Sequence, residues 1–170
     1  MASQPGGFDR NLIVLPFDHR WSFESGLLGH GRRLDEAEAD RLRAFKAIIY
    51  DGYLEALEDG VPSETSAILV DQTYGEAILA DGRARSLTTC APMERSGQPD
   101  FDFEYGDDVR RRLDDAAPTF TKALVRYNPE GDLAMNATQR ERLKVLSDSA
   151  SSAGYRVHVR APGPSDARPA

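Results

Sequence analysis

The sequence alternates short apolar runs with longer amphipathic segments, and each apolar run ends in polar or charged residues. The first run is Leu12–Phe17, and Asp18, His19 and Arg20 follow it directly. An uninterrupted apolar run rich in β-branched residues is typical of a strand that is covered on both faces of a parallel sheet. Repetition of the pattern along the chain therefore predicts an α/β fold with a parallel sheet.

Five strands are predicted from this pattern, at Asn11–Phe17, Ala67–Val70, Leu87–Met93, Phe120–Val125 and Tyr155–Arg160. Helices are predicted in four longer segments and one short one, at Asp35–Gly60, Tyr74–Ala84, Asp107–Ala116, Asn136–Ala153 and Phe23–Gly29. The longest helix has Asp35 as its N-cap and Glu38 in the capping-box position. Its predicted apolar face consists of Leu42, Phe45, Ile48, Ile49, Tyr53, Leu54 and Leu57.

Two architectures fit this order of elements: an open, doubly wound sheet and a (β/α)8 TIM barrel. No Gly-x-Gly-x-x-Gly run follows the first strand and no Walker-type loop is present, so the nucleotide-binding folds lack their usual signature. Strands that end in polar groups favour the barrel, whose catalytic face lies at the strands' carboxyl ends. A barrel needs about 250 residues, and this chain has 170. We therefore expect a partial barrel of about four βα units plus a degenerate fifth strand.

The domain organisation follows from this expectation. Residues 1–10 are predicted to be a flexible N-terminus, residues 11–160 an incomplete barrel, and residues 161–170 a disordered tail. The net charge is −7 and no basic stripe is visible, which argues against nucleic acid or an anionic membrane as a partner. No apolar stretch reaches the roughly 18 residues that a membrane span requires. No signal-peptide pattern is visible, so we expect a cytoplasmic protein without a cofactor.

The chain contains one cysteine, Cys90, within the third apolar run. A single cysteine allows no disulfide within the chain and no cysteine-based zinc site. A small buried residue in a strand is the preferred interpretation of Cys90.

The candidate site residues follow four of the predicted strands. Because the carboxyl ends of parallel strands meet at one edge of a sheet, these residues are expected to share one mouth. In each position alone, loop polarity and function are both open interpretations. The predicted role is an acid that handles a proton, beside polar groups that orient a sugar hydroxyl. The residues are Asp18, His19, Arg20, Asp71, Gln72, Glu94, Arg95 and Arg126.

Lys122 lies within the fourth apolar run, where an unpaired lysine is costly to bury. It is either a functional amine, base or phosphate anchor, or a lysine at the start of the strand that extends to solvent. A metal site would have to gather Asp18, His19, Asp71 and Glu94, but their spacing matches no recognised ligand signature. We therefore predict no metal.

Several strings in the chain resemble the class I tagatose-1,6-bisphosphate aldolase group. The resemblance is greatest to the aldolase-like domain that is often fused behind 5-dehydro-2-deoxygluconokinase in inositol catabolism, and it runs from about Asn11 to Gly154. The strings that carry it are Leu15–Arg20, Ile68–Gly75, Met93–Gly97, Phe101–Asp108 and Lys122–Asp132.

This resemblance implies a (β/α)8 barrel that cleaves a ketose phosphate between C3 and C4 through a lysine Schiff base. Asp18 corresponds to the family's strand-one aspartate, which helps to handle the proton of the substrate hydroxyl. Lys122 corresponds to the second lysine of the site, whose charge favours an unprotonated Schiff-base amine. His19 stands where the tagatose enzymes carry glutamine.

Two parts of the family's site are absent from this sequence. The acid/base glutamate belongs to strand five and the Schiff-base lysine to strand six. After Arg156 the family pattern Arg-Phe-Met-Phe-Glu-Leu-Leu-Val-Pro is replaced by Arg-Val-His-Val-Arg-Ala-Pro-Gly-Pro. Codons can be chosen for Arg156–Pro164 such that deleting one nucleotide restores the family string. We therefore hypothesise a frameshift that makes Val157–Ala170 an out-of-frame tail, with Arg160 in place of the glutamate.

Two expectations follow for the behaviour of the chain. It should show no aldolase activity alone, and the unpaired edges of an incomplete barrel should promote self-association. The alternative is a non-catalytic half-barrel module that pairs with a partner fragment or binds a sugar phosphate.

Overall fold

A computed structural model describes residues 11–29, 34–104, 106 and 108–160 of the chain. Strands and helices alternate along it, which confirms the predicted α/β class. The strands are β1 (Ile13–Pro16), β2 (Ser66–Leu69), β3 (Thr88–Pro92), β4 (Phe120–Leu124) and β5 (Arg156–Arg160). The helices are α1 (Trp21–Leu28), α2 (Glu36–Glu58), α3 (Gln72–Ala84), α4 (Val109–Ala116) and α5 (Leu133–Ala153), with a 3₁₀ turn at Ser63–Thr65.

All five strands are parallel and belong to one sheet with the order β1-β2-β3-β4-β5. Each strand therefore pairs with the next strand in the chain, and the order does not reverse within the described residues. Right-handed crossovers in such a sheet place every connecting helix on the same face. Consecutive helices from α2 to α5 contact one another, as expected for a single helical layer.

The core lies between this helical layer and the sheet, in two clusters. One cluster joins α2 and α3 to the first three strands and includes Tyr50, Tyr53, Ile68 and Val70. The second cluster joins α4 and α5 to the last three strands and includes Leu113, Ala123, Val125 and Leu146. Successive side chains of a strand point to opposite faces. Since Ala123 faces the helices, Lys122 lies on the helix-free face of the sheet.

Three helices begin earlier than the sequence predicts, because their N-caps lie earlier. Asp132 accepts hydrogen bonds from the amides of Ala134 and Met135, at 2.8 and 3.0 Å, so α5 begins at Leu133. The Asp71 carboxylate caps α3, which begins directly after it. Helix α1 begins at Trp21. Of these three caps, only Asp71 is an aspartate close behind a strand. Asp132 lies well after β4, and Arg20, the N-cap of α1, forms no side-chain capping bond.

The predicted capping box of α2 is confirmed. Asp35 Oδ1 accepts from the Glu38 amide at 2.9 Å, and Glu38 Oε2 accepts from the Asp35 amide at 3.1 Å. The predicted apolar face of this helix was wrong in part, since Ile48 is 65% exposed and Phe45 36% exposed. The buried stripe of α2 consists of Leu42, Lys46, Tyr50 and Tyr53, whose spacings of four and three residues place them on one side of a helix.

Some predicted features lie outside the described residues: the flexible N-terminus, the helix start at Asp107 and the tail after Arg160. Among the residues that are described, no helix is both long and apolar enough to cross a membrane. Helix α4 begins at Val109, and Asp108 caps it by accepting from the Arg111 amide.

Candidate functional site

A buried lysine and two carboxylates meet at the carboxyl ends of the strands. Lys122 Nζ lies 3.0 Å from Asp18 Oδ2, and it also forms an ion pair with Glu94 Oε1. The three side chains are between 7% and 11% exposed. We call Asp18, Glu94 and Lys122 the acid–lysine cluster. The residues follow β1, follow β3 and lie on β4, so three separate strands supply one site.

Burial and ion pairing have opposite effects on the cluster. Burial by itself lowers the pKa of the Lys122 amine, but the carboxylates of Glu94 and Asp18 outweigh it and hold that pKa above its ordinary value. Burial raises the pKa of Glu94, and its pairing with Lys122 offsets this effect only in part. Lys122 is therefore a protonated cation near neutral pH and not a free amine.

One oxygen of the cluster has no partner among the described residues. Glu94 Oε2 is buried and accepts no hydrogen bond, while Oε1 of the same carboxylate binds Lys122. A buried acceptor that lacks a donor costs free energy, so a ligand hydroxyl that reaches it gains a hydrogen bond without displacing a protein group. The cluster thus offers a cation and an acceptor side by side.

Arg20 holds the backbone of Glu94 in place. Its Nη2 donates to the Glu94 carbonyl at 2.6 Å, and its Nη1 lies 3.1 Å from Glu104 Oε2. Arg20 is 5% exposed. Since its guanidinium binds a carbonyl and a carboxylate, Arg20 supports the loop after β3.

Asp71 belongs to a second buried ion pair. Its Oδ2 pairs with Lys46 of α2, and its Oδ1 accepts from the Tyr74 amide at 2.9 Å. The side chains of Lys46 and Asp71 are 1% and 0% exposed. Both carboxylate oxygens of Asp71 are thus used within the protein, and the structure does not bring this residue into the acid–lysine cluster.

Arg126 extends from the end of β4 toward the loop after β3. Its Nη1 donates to the Gln98 carbonyl at 2.8 Å, and the side chain is half-buried. Its backbone is held by the buried amide of Gln139, which accepts from the Arg126 amide at 3.1 Å and donates to the Arg126 carbonyl at 3.2 Å. Gln139 also accepts from the Phe101 amide at 3.2 Å, so one side chain joins α5, β4 and the loop.

The other predicted site residues do not join the cluster. The His19 side chain is exposed, and Arg95 pairs with Asp102 at 3.5 Å while 45% exposed. Gln72 Nε2 donates to the Arg112 carbonyl at 3.1 Å, whereas its buried Oε1 has no partner among the described residues. Of the four residues that a metal site would require, Asp18 and Glu94 meet at Lys122, whereas His19 is exposed and Asp71 pairs with Lys46. No described group of three or more such side chains is placed to hold a metal ion.

Cys90 is confirmed as a small buried residue of β3. It is free and 1% exposed, and burial raises the pKa of its thiol well above the ordinary value. A thiol that is held neutral is a poor nucleophile.

Two residues that organise the site were not found from the sequence. Lys46 lies in a helix, where a lysine is usually taken to face solvent; its place between Leu42 and Tyr50 on the buried stripe was the available signal. Gln139 lies in α5, and its contact with Phe101 across 38 positions has no sequence signature.

Fold and site together define an α/β protein with a polar cluster at the carboxyl edge of a parallel sheet. Over residues 4–166 the chain matches a family described as "Uncharacterized protein conserved in bacteria (DUF2090)", and it belongs to that family. No curated protein matches the chain.

Proposed function

We propose that the five βα units form part of a (β/α)8 barrel. The unreversed strand order and the single helical layer support this architecture. So does the contact between Asp18 and Lys122. Strands β1 and β4 are three positions apart in the sheet, which in a flat sheet is about 14 Å. Contact at 3.0 Å between side chains at their ends fits a sheet that curls toward its helix-free face, as in a barrel.

We infer that the acid–lysine cluster binds a ketose phosphate of the kind that class I aldolases cleave, such as tagatose 1,6-bisphosphate or 6-phospho-5-dehydro-2-deoxygluconate. The observation that carries this proposal is Lys122 between Asp18 and Glu94, with one Glu94 oxygen unpartnered among the described residues. Sugar hydroxyls both donate and accept hydrogen bonds. They therefore suit a site in which a buried cation donates and buried carboxylates accept.

Arg126 is the best candidate for the phosphate among the three predicted arginines. Arg20 and Arg95 each pair with a carboxylate, Glu104 and Asp102 respectively. The Arg126 guanidinium instead contacts a neutral carbonyl, that of Gln98. Among the described residues no carboxylate pairs with Arg126, so its charge is available for a phosphate, which a guanidinium binds in bidentate geometry.

The lysines of this chain do not favour Schiff-base chemistry. The chain has three, Lys46, Lys122 and Lys144. An amine must be unprotonated to attack a carbonyl, and Lys122 is held protonated by two carboxylates. Lys46 is fully buried in an ion pair, and Lys144 is 75% exposed beside Asp148. We therefore propose that this chain binds the sugar phosphate and does not cleave it alone.

Calorimetric titration with tagatose 1,6-bisphosphate tests the binding proposal. Asp18→Asn, Lys122→Met and Arg126→Gln should each weaken binding about tenfold or more, since a hydrogen bond to a charged group contributes about 1.5–3 kcal/mol. Asp114→Asn, Lys144→Met and Arg110→Gln are matched controls, because they change the same charges at exposed positions.

Two outcomes would overturn this proposal. Equal affinity in the site variants and the controls would show that the cluster is not the binding site. Borohydride trapping of an adduct on Lys122 would show that the chain does form the imine. Inorganic phosphate and unphosphorylated tagatose, titrated separately, distinguish a sugar-phosphate site from an anion site or a sugar site.

A second candidate function is that of a module that associates through its strand edges, with another fragment or with a second copy. The exposed apolar side chains of the outermost strands favour it. On β1, Ile13 is 76% exposed and Leu15 37% exposed, and on β5, Val159 is 51% exposed. Unpaired strands that expose apolar side chains readily add a further strand.

A further inference from the structure

Lys46 is the most completely buried cation among the described residues, and its ammonium group joins three elements. Nζ donates to the Phe17 carbonyl at 2.6 Å and to the His19 carbonyl at 3.0 Å, and it pairs with Asp71 Oδ2. The ring centroid of Phe23 lies 5.3 Å away. Helix α2 is thereby fastened to the ends of β1 and β2 and to the start of α3.

The number of acceptors matches the number of donors. An ammonium group has three N–H bonds, and three oxygens surround Lys46 Nζ. Asp71 is fixed in turn, since its other oxygen caps α3 through the Tyr74 amide. The arrangement is thus hydrogen-bonded throughout, which is the condition under which a buried ion pair is tolerated.

The two carbonyls that bind Lys46 belong to the residues on either side of Asp18. The Phe17 carbonyl belongs to the peptide that joins Phe17 to Asp18, and the His19 carbonyl belongs to the peptide that joins His19 to Arg20. Holding both carbonyls fixes the backbone path through Asp18, and with it the direction in which the carboxylate leaves the chain. That carboxylate reaches Lys122 at 3.0 Å.

We propose that Lys46 is a positioning residue for the acid–lysine cluster: it holds the end of β1 so that the Asp18 carboxylate meets the Lys122 amine. This inference rests on the proposed function in one respect: it takes the acid–lysine cluster to be the functional site. Lys46 itself is not a nucleophile, because its three donors are used and its side chain is 1% exposed.

The test is competitive acetylation of the chain with acetic anhydride at a series of pH values, read by mass spectrometry of the lysine peptides. Only the unprotonated amine reacts, so the reaction profile of Lys122 reports how strongly its carboxylate partners hold the proton. Lys144, 75% exposed, serves as the internal reference. No sugar phosphate is added, so the result is independent of whether one binds.

The main variant is Lys46→Met with Asp71→Asn. It removes one positive and one negative charge, so the net charge near Lys122 is unchanged, and asparagine still caps a helix. Two other titratable side chains lie on the strands next to Lys122: His158 on β5 and Cys90 on β3. Both are present in every variant, so neither differs between the chains that are compared. We expect the Lys122 midpoint to fall by about one pH unit, which is about tenfold more reaction at a given pH.

Leu113→Ala is the control for a loss of stability alone. Leu113 is fully buried in the second core cluster, away from Lys46. This variant should melt at a lower temperature while the Lys122 profile stays at the wild-type midpoint. An unchanged Lys122 midpoint in a folded Lys46→Met/Asp71→Asn chain would overturn the proposal, whatever the result of the sugar-phosphate titration.

Lys46→Arg covers the case in which the double variant does not fold. It keeps the charge and can pair with Asp71, but a planar guanidinium does not direct three donors from one nitrogen. The Lys122 midpoint should again fall. A wild-type midpoint in folded Lys46→Arg would show that charge alone is needed and would overturn the positioning role.

Discussion

Lys122 and Glu94 form an ion pair in which both side chains are less than one-tenth exposed. The pair lies on the helix-free face of the sheet, where a lone charge would meet a high desolvation cost. Asp18 provides a second carboxylate for the same ammonium. The cluster is therefore a determinant of stability as well as a candidate site, and the two roles can be measured apart.

Lys122→Met should destabilise the protein by about 3–5 kcal/mol, because it leaves Glu94 buried without its cation. Lys122→Met with Glu94→Gln should recover part of the loss, since the buried Glu94 carboxylate is then neutral and only Asp18 is left without its cation. Urea unfolding followed by circular dichroism measures both. If the double variant is no more stable than Lys122→Met, the ion pair is not what the single substitution breaks.

Stability should fall at alkaline pH. The pKa of Lys122 is raised by its carboxylates, so its contribution is fully present below the ordinary lysine pKa of 10.5 and is lost as the pH rises through the raised value. The phenols of Tyr50 and Tyr74 also have pKa values raised by burial, and they act in the same direction.

Urea midpoints between about pH 9 and pH 12 measure this loss, a range that brackets the unperturbed Tyr and Lys values. Lys122→Met should reduce its steepness, and Tyr50→Phe with Tyr74→Phe should reduce it independently. An alkaline slope in Lys122→Met equal to that of the wild type would contradict the assignment to Lys122.

Gly75 allows α3 to lie close against β2. A Cβ added at this position would lie 2.2 Å from Val70 Cγ2, so Gly75→Ala should destabilise the protein strongly. Val70→Ala added to it should restore part of the loss. Gly52→Ala is the matched control: that glycine lies within α2 with open space around its Cβ position, and alanine should stabilise the helix by about 1 kcal/mol. Thermal melts of the three variants and the wild type rank them, and a wild-type melt for Gly75→Ala would contradict the close packing.

Gln139 should be required for the order of the loop after β3. Gln139→Leu leaves the amides of Phe101 and Arg126 without their acceptor, at a cost of about 1–3 kcal/mol for each. Hydrogen exchange at these two amides should accelerate more than at the core strands. Arg140→Ala, at an exposed position of the same helix, should leave both exchange rates unchanged. Equal acceleration in the two variants would argue against a specific role of the Gln139 hydrogen bonds.

Self-association should depend on the outermost strands. Ile13→Lys with Val159→Lys places charges where apolar side chains are exposed on β1 and β5, so it should shift the chain toward the monomer. Val145→Lys, at a 48% exposed position of α5, is the matched control. Sedimentation velocity over a range of concentrations distinguishes them, and a wild-type chain that remains monomeric would contradict the prediction.

The strands were predictable because short apolar runs rich in β-branched residues are typical of buried parallel strands. Each observed strand lies within its predicted run or starts one residue earlier. Asp18 and Glu94 were expected to share one mouth because the carboxyl ends of parallel strands meet. The pattern left the direction of Lys122 open, and only the family resemblance implied that it joins Asp18 in the site. The role of Asp71 was not predictable, since an aspartate after a strand can cap the next helix or point to a ligand. Asp71 takes the capping role because its second oxygen pairs with the buried Lys46. That ion pair follows from the packing of α2, which the sequence did not show.

The reading-frame hypothesis for Val157–Ala170 stays a prediction. Val157 packs against the second core cluster, and Arg156–Arg160 pairs with β4. The nucleotide sequence through codon 156 and beyond tests the hypothesis: a downstream frame that encodes further barrel-like strands would support it, and the lack of one would end it.

Within the described residues each strand pairs with its neighbours in chain order, so the sheet can form by adding one βα unit at a time. The Asp18–Lys122 contact is different, because it spans 104 positions. Closing so long a loop has a larger entropic cost. We therefore expect the sheet to form progressively and the ion pair to form after the fourth strand has docked. Substitutions at Asp18 should then accelerate unfolding and leave the refolding rate nearly unchanged.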